Sequence, residues 1–323
     1  MSSCSKRAVR FCLWVMEESL ADAGGEGIGV NYGLKGDNLP TPEQVVGLYK
    51  SRNIGKLRLF EPDLNVLNAL HGSGIQVIVG TVDGDVQTNI VPHAGSVTFR
   101  CVSIGNEIIP SDIAQYIAPA MQNVDRALKA AQVTAPVSTA VAMSVIGPSP
   151  RPSVGVFSDV ANSTMSAVIS FLAANNYPLL VNAYAYYAYD PKYIKLDYVL
   201  LNSTAVIVQD GNLGYTNMLH AMVDTVYTAM EKVGGPNVEV VLSETGWPSG
   251  GGPAVATVEY AKIHNNNAVR LAATSNGTPK RPGKGLETYL FAMFNENLKG
   301  EGSEQHFGLY NPDMSEVYHV DFP

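Results

Sequence analysis

The sequence predicts an α/β protein folded as a single (β/α)8 barrel. Short apolar, β-branched runs recur at Ile28–Tyr32, Lys56–Phe60, Gln76–Gly80, Val102–Glu107, Val137–Met143, Leu179–Tyr184, Val238–Glu244 and Thr288–Asn295, eight in all. Longer amphipathic stretches separate them, the alternation of a parallel sheet wrapped in helices. No linker, charge run or internal repeat divides the body. Eight units in one undivided piece favour a closed barrel over an open doubly wound sheet, and no GxGxxG follows the first run.

Each helix has its own punctuation. Thr41-Pro42-Glu43-Gln44 reads as an N-cap, a proline in the first turn and a glutamine that closes a capping box, ahead of the apolar face Val45, Val46 and Tyr49. Gly72 and Gly74 end a helix carrying Leu64, Leu67 and Leu70. Leu213 to Gly234 reads as one long helix whose Met218, Met222, Val226 and Met230 pack into the core. Tyr198 to Gly211 has room for a small hairpin outside the barrel.

Composition narrows the function. The chain has 323 residues, 46% hydrophobic and 15% charged, so it can bury a large core and is not disordered. A formal net charge of −8 argues against an electrostatic hold on nucleic acid or anionic lipid. No apolar run reaches the roughly 18 residues of a membrane span. Cys4, Cys12 and Cys101 offer neither a disulfide framework nor a metal site, and Cys101 reads as a buried strand residue. The six histidines have no ligand spacing, so no metal and no cofactor are expected. GxSxG and Walker motifs are also lacking.

Residues 1–23 look like an irregular secretory leader, and 24–323 form the barrel. Lys6, Arg7 and Arg10 precede the apolar Phe11–Met16, and Ala21-Asp22-Ala23 has the form of a cleavage site, although Glu17 and Glu18 interrupt the pattern. Sequons at Asn162, Asn202 and Asn276 agree with a secreted protein.

A barrel of this kind works at the C-terminal mouths of its strands. Two strands end there in a carboxylate, Val102-Ser103-Ile104-Gly105-Asn106-Glu107 and Val240-Val241-Leu242-Ser243-Glu244. Either glutamate alone could be a solvated strand end or an ion-pair partner. Strands four and seven lie across the mouth of an eight-stranded barrel, so both side chains can enter one cleft. Two carboxyls in an aromatic cleft suit glycosidic cleavage: one donates a proton to the leaving oxygen, the other attacks the anomeric carbon. Asn106 stands beside the first as a partner for a sugar hydroxyl. Tyr32, Tyr184, Trp247 and Phe294 offer faces for pyranose rings, and Asn182 opens the tyrosine-rich run Tyr184, Tyr186, Tyr187, Tyr189, of which alternation allows about half to face a ligand.

The segments Ile28-Gly29-Val30-Asn31-Tyr32-Gly33, Ile104-Gly105-Asn106-Glu107, Leu242-Ser243-Glu244-Thr245-Gly246-Trp247-Pro248-Ser249 and Phe291-Ala292-Met293-Phe294-Asn295-Glu296-Asn297 closely resemble the plant β-1,3-glucanases of glycoside hydrolase family seventeen. The resemblance runs from Gly27 to the C-terminus and includes Phe307-Gly308-Leu309-Tyr310-Asn311-Pro312-Asp313. It implies a retaining, secreted, monomeric endo-hydrolase of β-1,3-glucan, in apoplast, cell wall or vacuole. Glu107 would be the acid/base and Glu244 the nucleophile. Glu296, Lys299 and Glu304 match further polar positions at the site, and Lys299 could pair with Glu244 or Glu296. The chain departs from the pattern after Gly84-Asp85, where the third helix is expected to be shortened. Three other readings stay open on sequence: a mixed-linkage β-1,3-1,4-glucanase, a transglycosylase, and a silent wall-binding protein that kept the fold.

Overall fold

The computed structural model describes residues 27–81 and 86–323. The leader therefore lies outside the described residues, as does Gly84-Asp85, where the shortening begins. Eight parallel strands close into a barrel: β1 (Ile28–Tyr32), β2 (Lys56–Leu59), β3 (Gln76–Thr81), β4 (Thr98–Asn106), β5 (Val137–Ala142), β6 (Leu179–Asn182), β9 (Val240–Thr245) and β10 (Thr288–Leu290), with β10 returning to β1. A separate antiparallel hairpin, β7 (Val208–Asp210) and β8 (Leu213–Tyr215), sits between β6 and β9 in the chain.

The interior of the barrel holds Ile78, Cys101, Ala140, Leu180, Val241 and Tyr289, while a larger apolar layer lies between strands and helices. Cys101 is buried as expected, and burial pushes its thiol up to about 12. The outer layer includes α1 (Pro42–Ser51), α2 (Leu64–Ala69), α3 (Ile117–Ala130), α4 (Asp159–Asn175), α5 (Met218–Lys232) and α6 (Val258–Ala272). Gln44 reaches back to the Thr41 amide at 3.0 Å, the expected capping-box contact. Leu64 departs from expectation: it is exposed, and Val66 joins Leu67 and Leu70 in the core.

Between β3 and β4 the described residues contain no α-helix. A π turn over Val86–Ile90 and a single 3-10 turn over Val91–His93 take its place. Val86 and Ile90 are fully buried, so this short segment still covers the strands. The expected shortening of the third helix is therefore seen, among the described residues, as a π turn and a 3-10 turn anchored by Val86 and Ile90.

Three sequence boundaries are corrected. The long helix begins at Met218, not Leu213, because Asn217 caps it by accepting the His220 amide at 2.9 Å. Leu213–Tyr215 is instead the second strand of the hairpin, whose first strand, Val208–Asp210, lies inside the expected Tyr198–Gly211; Tyr198 belongs to a one-turn helix. The last barrel strand ends at Leu290 rather than Asn295. Beyond it the backbone divides its partners: Phe291 and Met293 still donate to Thr245 O and Asn31 O of the barrel, while Ala292 donates to Phe307 O and Asn295 to Tyr310 O of the C-terminal segment.

Candidate active site

β4 starts at Thr98 and delivers Glu107 one residue past its end. Its pairing with β5 shifts register between Ser103 and Asn106, and Gly105 and Glu107 take left-handed φ of 73° and 57°. A non-glycine in that region is uncommon, and such positions cluster at functional sites. Here the irregular strand end turns Glu107 into the mouth, where it is exposed. Glu244 is the penultimate residue of β9 and is only 5% exposed. The pair thus sits in two different media.

Asn182, at the end of β6, ties them together. Its Nδ2 lies 2.8 Å from Glu107 Oε1 and 2.8 Å from Glu244 Oε1, so these oxygens stand no more than twice that distance apart. Arg58 on β2 donates to Glu244 Oε1 at 2.8 Å and to Asn106 Oδ1 at 2.8 Å. The Tyr184 hydroxyl donates to Glu244 Oε2 at 2.7 Å. Burial pushes the Glu244 carboxyl up, and Arg58 and Tyr184 oppose the shift. Donors already occupy Oε1, so a proton on Glu244 would have only the Tyr184 oxygen to bond. The environment is built for an anion, in spite of its burial. Tyr184 itself is pushed well above its ordinary value by burial and by Glu244, so it keeps its proton.

These groups open onto a cleft of about 680 Å³. Of the predicted residues, Tyr32, Asn106, Glu107, Asn182, Tyr184, Glu244, Glu296, Lys299 and Glu304 all line it. Glu296 accepts the Lys35 amide at 2.7 Å, and burial pushes its carboxyl up. It approaches Gly33 so closely that a β-carbon there would collide with the carboxylate. Glu304 accepts the Tyr187 hydroxyl. In the tyrosine run, Tyr184 and Tyr187 face the cleft; Tyr186 is 7% exposed and packs on Trp247.

Three predictions need correction. Trp247 is fully buried; its Nε1 donates to Val255 O at 2.8 Å, and its ring packs on Tyr186 and His264. Phe294 is 2% exposed and stacks edge-on with Tyr32, away from the cleft. Both lie just beyond strand ends, where the chain curls back onto the barrel, so their large faces meet core rather than a ligand. Lys299 forms no ion pair among the described residues. Its ammonium sits 5.0 Å over the Phe291 ring, and its charge acts on Glu244 and Glu296 from a distance.

Arg58 was not anticipated. Its side chain is 2% exposed, and it forms a 2.8 Å ion pair with Glu244. The signal was there in Lys56-Leu57-Arg58-Leu59: a charge within an apolar barrel strand must face a partner or a site. Phe60, Phe291, Phe307, Met143 and Met222 also line the cleft. Met222 lies on the first turns of α5, at the mouth end of that helix, so it lines the cleft although the methionine row reads as core packing.

A carboxylate pair bridged by one amide, in an aromatic-lined cleft at a barrel mouth, belongs to an enzyme that hydrolyses glycosidic bonds. The chain is a member of the glycosyl hydrolases family 17, whose family model matches residues 28–322. It is 43% identical to a glucan endo-1,3-beta-glucosidase of Vitis vinifera over 93% of this chain and 92% of that protein. Among solved structures it is similar to CJP38, a beta-1,3-glucanase and allergen of Cryptomeria japonica pollen, with 45% identity, a TM-score of 0.87, and coverage of 91% of this chain and 98% of that one. One of two plant beta-glucan endohydrolases with distinct substrate specificities superimposes equally well, with a TM-score of 0.87 at 39% identity, covering 91% of this chain and 100% of that one.

Proposed function

We propose that the protein hydrolyses internal β-1,3-glucosidic bonds of β-1,3-glucan by double displacement. Glu107 is the acid/base and Glu244 the nucleophile. The observation that carries this reading is the single Asn182 amide within 2.8 Å of both carboxylates. With one pair of their oxygens at most twice 2.8 Å apart, this supports the roughly 5–5.5 Å spacing of a retaining pair over the roughly 6.5–9.5 Å that an inverting pair needs for its water. The three donors on Glu244 support it as the anion that attacks C1. The exposed Glu107 has access to both the leaving oxygen and, later, water. Relatives named as glucan endo-1,3-β-glucosidases support the linkage. The leader-like N-terminus supports action outside the cytosol, and the protein is read as a monomer.

The test is digestion of a linkage-defined glucan panel, with product length and anomeric configuration followed by NMR. Laminarin should yield short oligosaccharides that first appear as β-anomers. Exclusive cleavage of mixed-linkage β-glucan, or α-anomers first, would overturn the reading.

A further inference from the structure

Asn182 touches both glutamates, and its own far end is held. Glu107 Oε1 and Glu244 Oε1 lie 2.8 Å from Nδ2, and Asn106 Oδ1 lies 3.0 Å away. A primary amide has two N–H bonds, so three acceptors compete for two hydrogens. At the other end, Ser243 Oγ donates to Asn182 Oδ1 at 2.8 Å, and Arg58 donates to it at 3.1 Å. Turning the amide over would set its oxygen against two carboxylates and its NH2 against a guanidinium. The orientation is therefore dictated by the charges around it. Ser243 is fully buried, and this is its side chain's hydrogen bond.

We propose that Asn182 is a positioning residue that passes a shared hydrogen bond between the two glutamates as negative charge moves, and that Ser243 keeps it aimed. This deepens the hydrolytic reading above and rests on it. The first displacement needs Glu244 as the attacking anion and Glu107 as the proton donor, so at that step donation to Glu244 is the stronger, charge-assisted bond. In the first displacement a bond forms between C1 and a Glu244 oxygen. The glycosidic C1–O bond breaks, and the Glu107 proton passes to the leaving oxygen. Glu244 is now an ester and the charge stands on Glu107. The same amide then serves Glu107, the carboxylate that must accept a proton from water. Water oxygen bonds to C1, its proton goes to Glu107, and Glu244 departs as a carboxylate. The shared bond returns to where it began. The amide needs no rotamer change, since both oxygens are already within reach.

Donation to a carboxylate favours its charged form, so one amide serves each glutamate at the step where it must be ionised. Among the described residues, Arg58 from β2, Tyr184 beyond β6 and Lys299 beyond β10 act on Glu244, and Tyr32, Lys35, Glu61, Tyr187, Glu296 and Glu304 line the same cleft. Arg58 and Tyr184 donate to Glu244. Among the described residues Asn182 is the donor common to both carboxylates.

Asn182→Ala, Ser243→Ala and Ser243→Thr in the full chain test this. Three quantities are compared: the pH profile of kcat/KM on laminarin, the thermal midpoint, and the titration of the two carboxyls by 13C NMR, assigned with E107Q and E244Q. Asn182→Ala should move both limbs of the profile to higher pH by about one unit. Ser243→Ala should move both limbs the same way by less, and Ser243→Thr should return them to the wild-type position. A lower rate or midpoint with both limbs and both titrations in place would reduce the two residues to packing and overturn the proposal. Movement of one limb alone would overturn the sharing. Wild-type protein that leaves laminarin uncut, while its carboxyls still shift together on loss of Asn182, would sink the hydrolytic reading and leave the shared bond standing.

Discussion

The two ends of the barrel solve the same problem in opposite ways. At the mouth, Glu244 is buried against one guanidinium, and a second carboxylate stands nearby. At the floor, Glu287 lies between two cations, 2.7 Å from Arg100 and 3.4 Å from Lys56, and accepts the Tyr289 hydroxyl at 2.9 Å. Burial acts to raise both carboxyls. At the floor Arg100 and Lys56 together overcome it, and Glu287 ends below the ordinary glutamate range. At the mouth Arg58 and Tyr184 do not, and Glu244 ends above it. The difference teaches that burial alone does not mark a reactive carboxylate. The balance of charge does: a glutamate held by two cations is a structural bolt, and one held by a single cation and two neutral donors beside a second carboxylate is placed to do chemistry.

The sharpest way to break this contrast is to remove the mouth pair. Glu244→Gly should lower kcat/KM on laminarin by about 10⁴-fold or more, and Glu107→Ala by about 10²–10⁴-fold. Azide should rescue Glu244→Gly as the inverted α-glycosyl azide, and Glu107→Ala as the β-glycosyl azide. Swapped products would exchange the two roles and make the exposed Glu107, not the buried Glu244, the anionic nucleophile.

Removing the floor carboxylate should do the reverse. Glu287→Ala should keep kcat/KM within about twofold but cost about 2–3 kcal/mol of stability, because two partly buried cations lose their partner. The pH window follows from the shift. The folded value lies below the ordinary 4.5, so this contribution is present above that value and lost as pH falls through the folded one. The gap in thermal midpoint between wild type and Glu287→Ala should therefore close on acidification. A gap that widened there would reverse the assigned direction.

The smallest effect sharpens where the mouth ends. Trp247→Phe removes the Nε1 bond to Val255 O and leaves a small void, which should cost about 1–2 kcal/mol of stability. KM for laminarin should stay within about twofold, since the ring touches core only. A tenfold rise in KM with an unchanged midpoint would return Trp247 to the substrate.

The apolar runs made the barrel legible, because strands buried on both faces must be written in β-branched and aliphatic residues. The carboxylates at Glu107 and Glu244 were legible for a related reason: a charge ending an apolar strand needs a partner or a purpose. Trp247 and Phe294 misled, because a large ring near a site reads the same whether it faces ligand or core. Arg58 was overlooked because a lone cation in a strand does not say which distant side chain it meets.

The chain by itself determined the eight units, their closure, and which two glutamates arrive at one end, since periodicity and strand-end position are local properties of the sequence. Only the tertiary structure decided that Asn182, Arg58, Tyr184 and Ser243, drawn from three barrel strands and the turn after β6, converge on those glutamates. The physical reason is that hydrogen-bond partnership and desolvation depend on distances across the barrel, between residues as much as 186 positions apart in the chain.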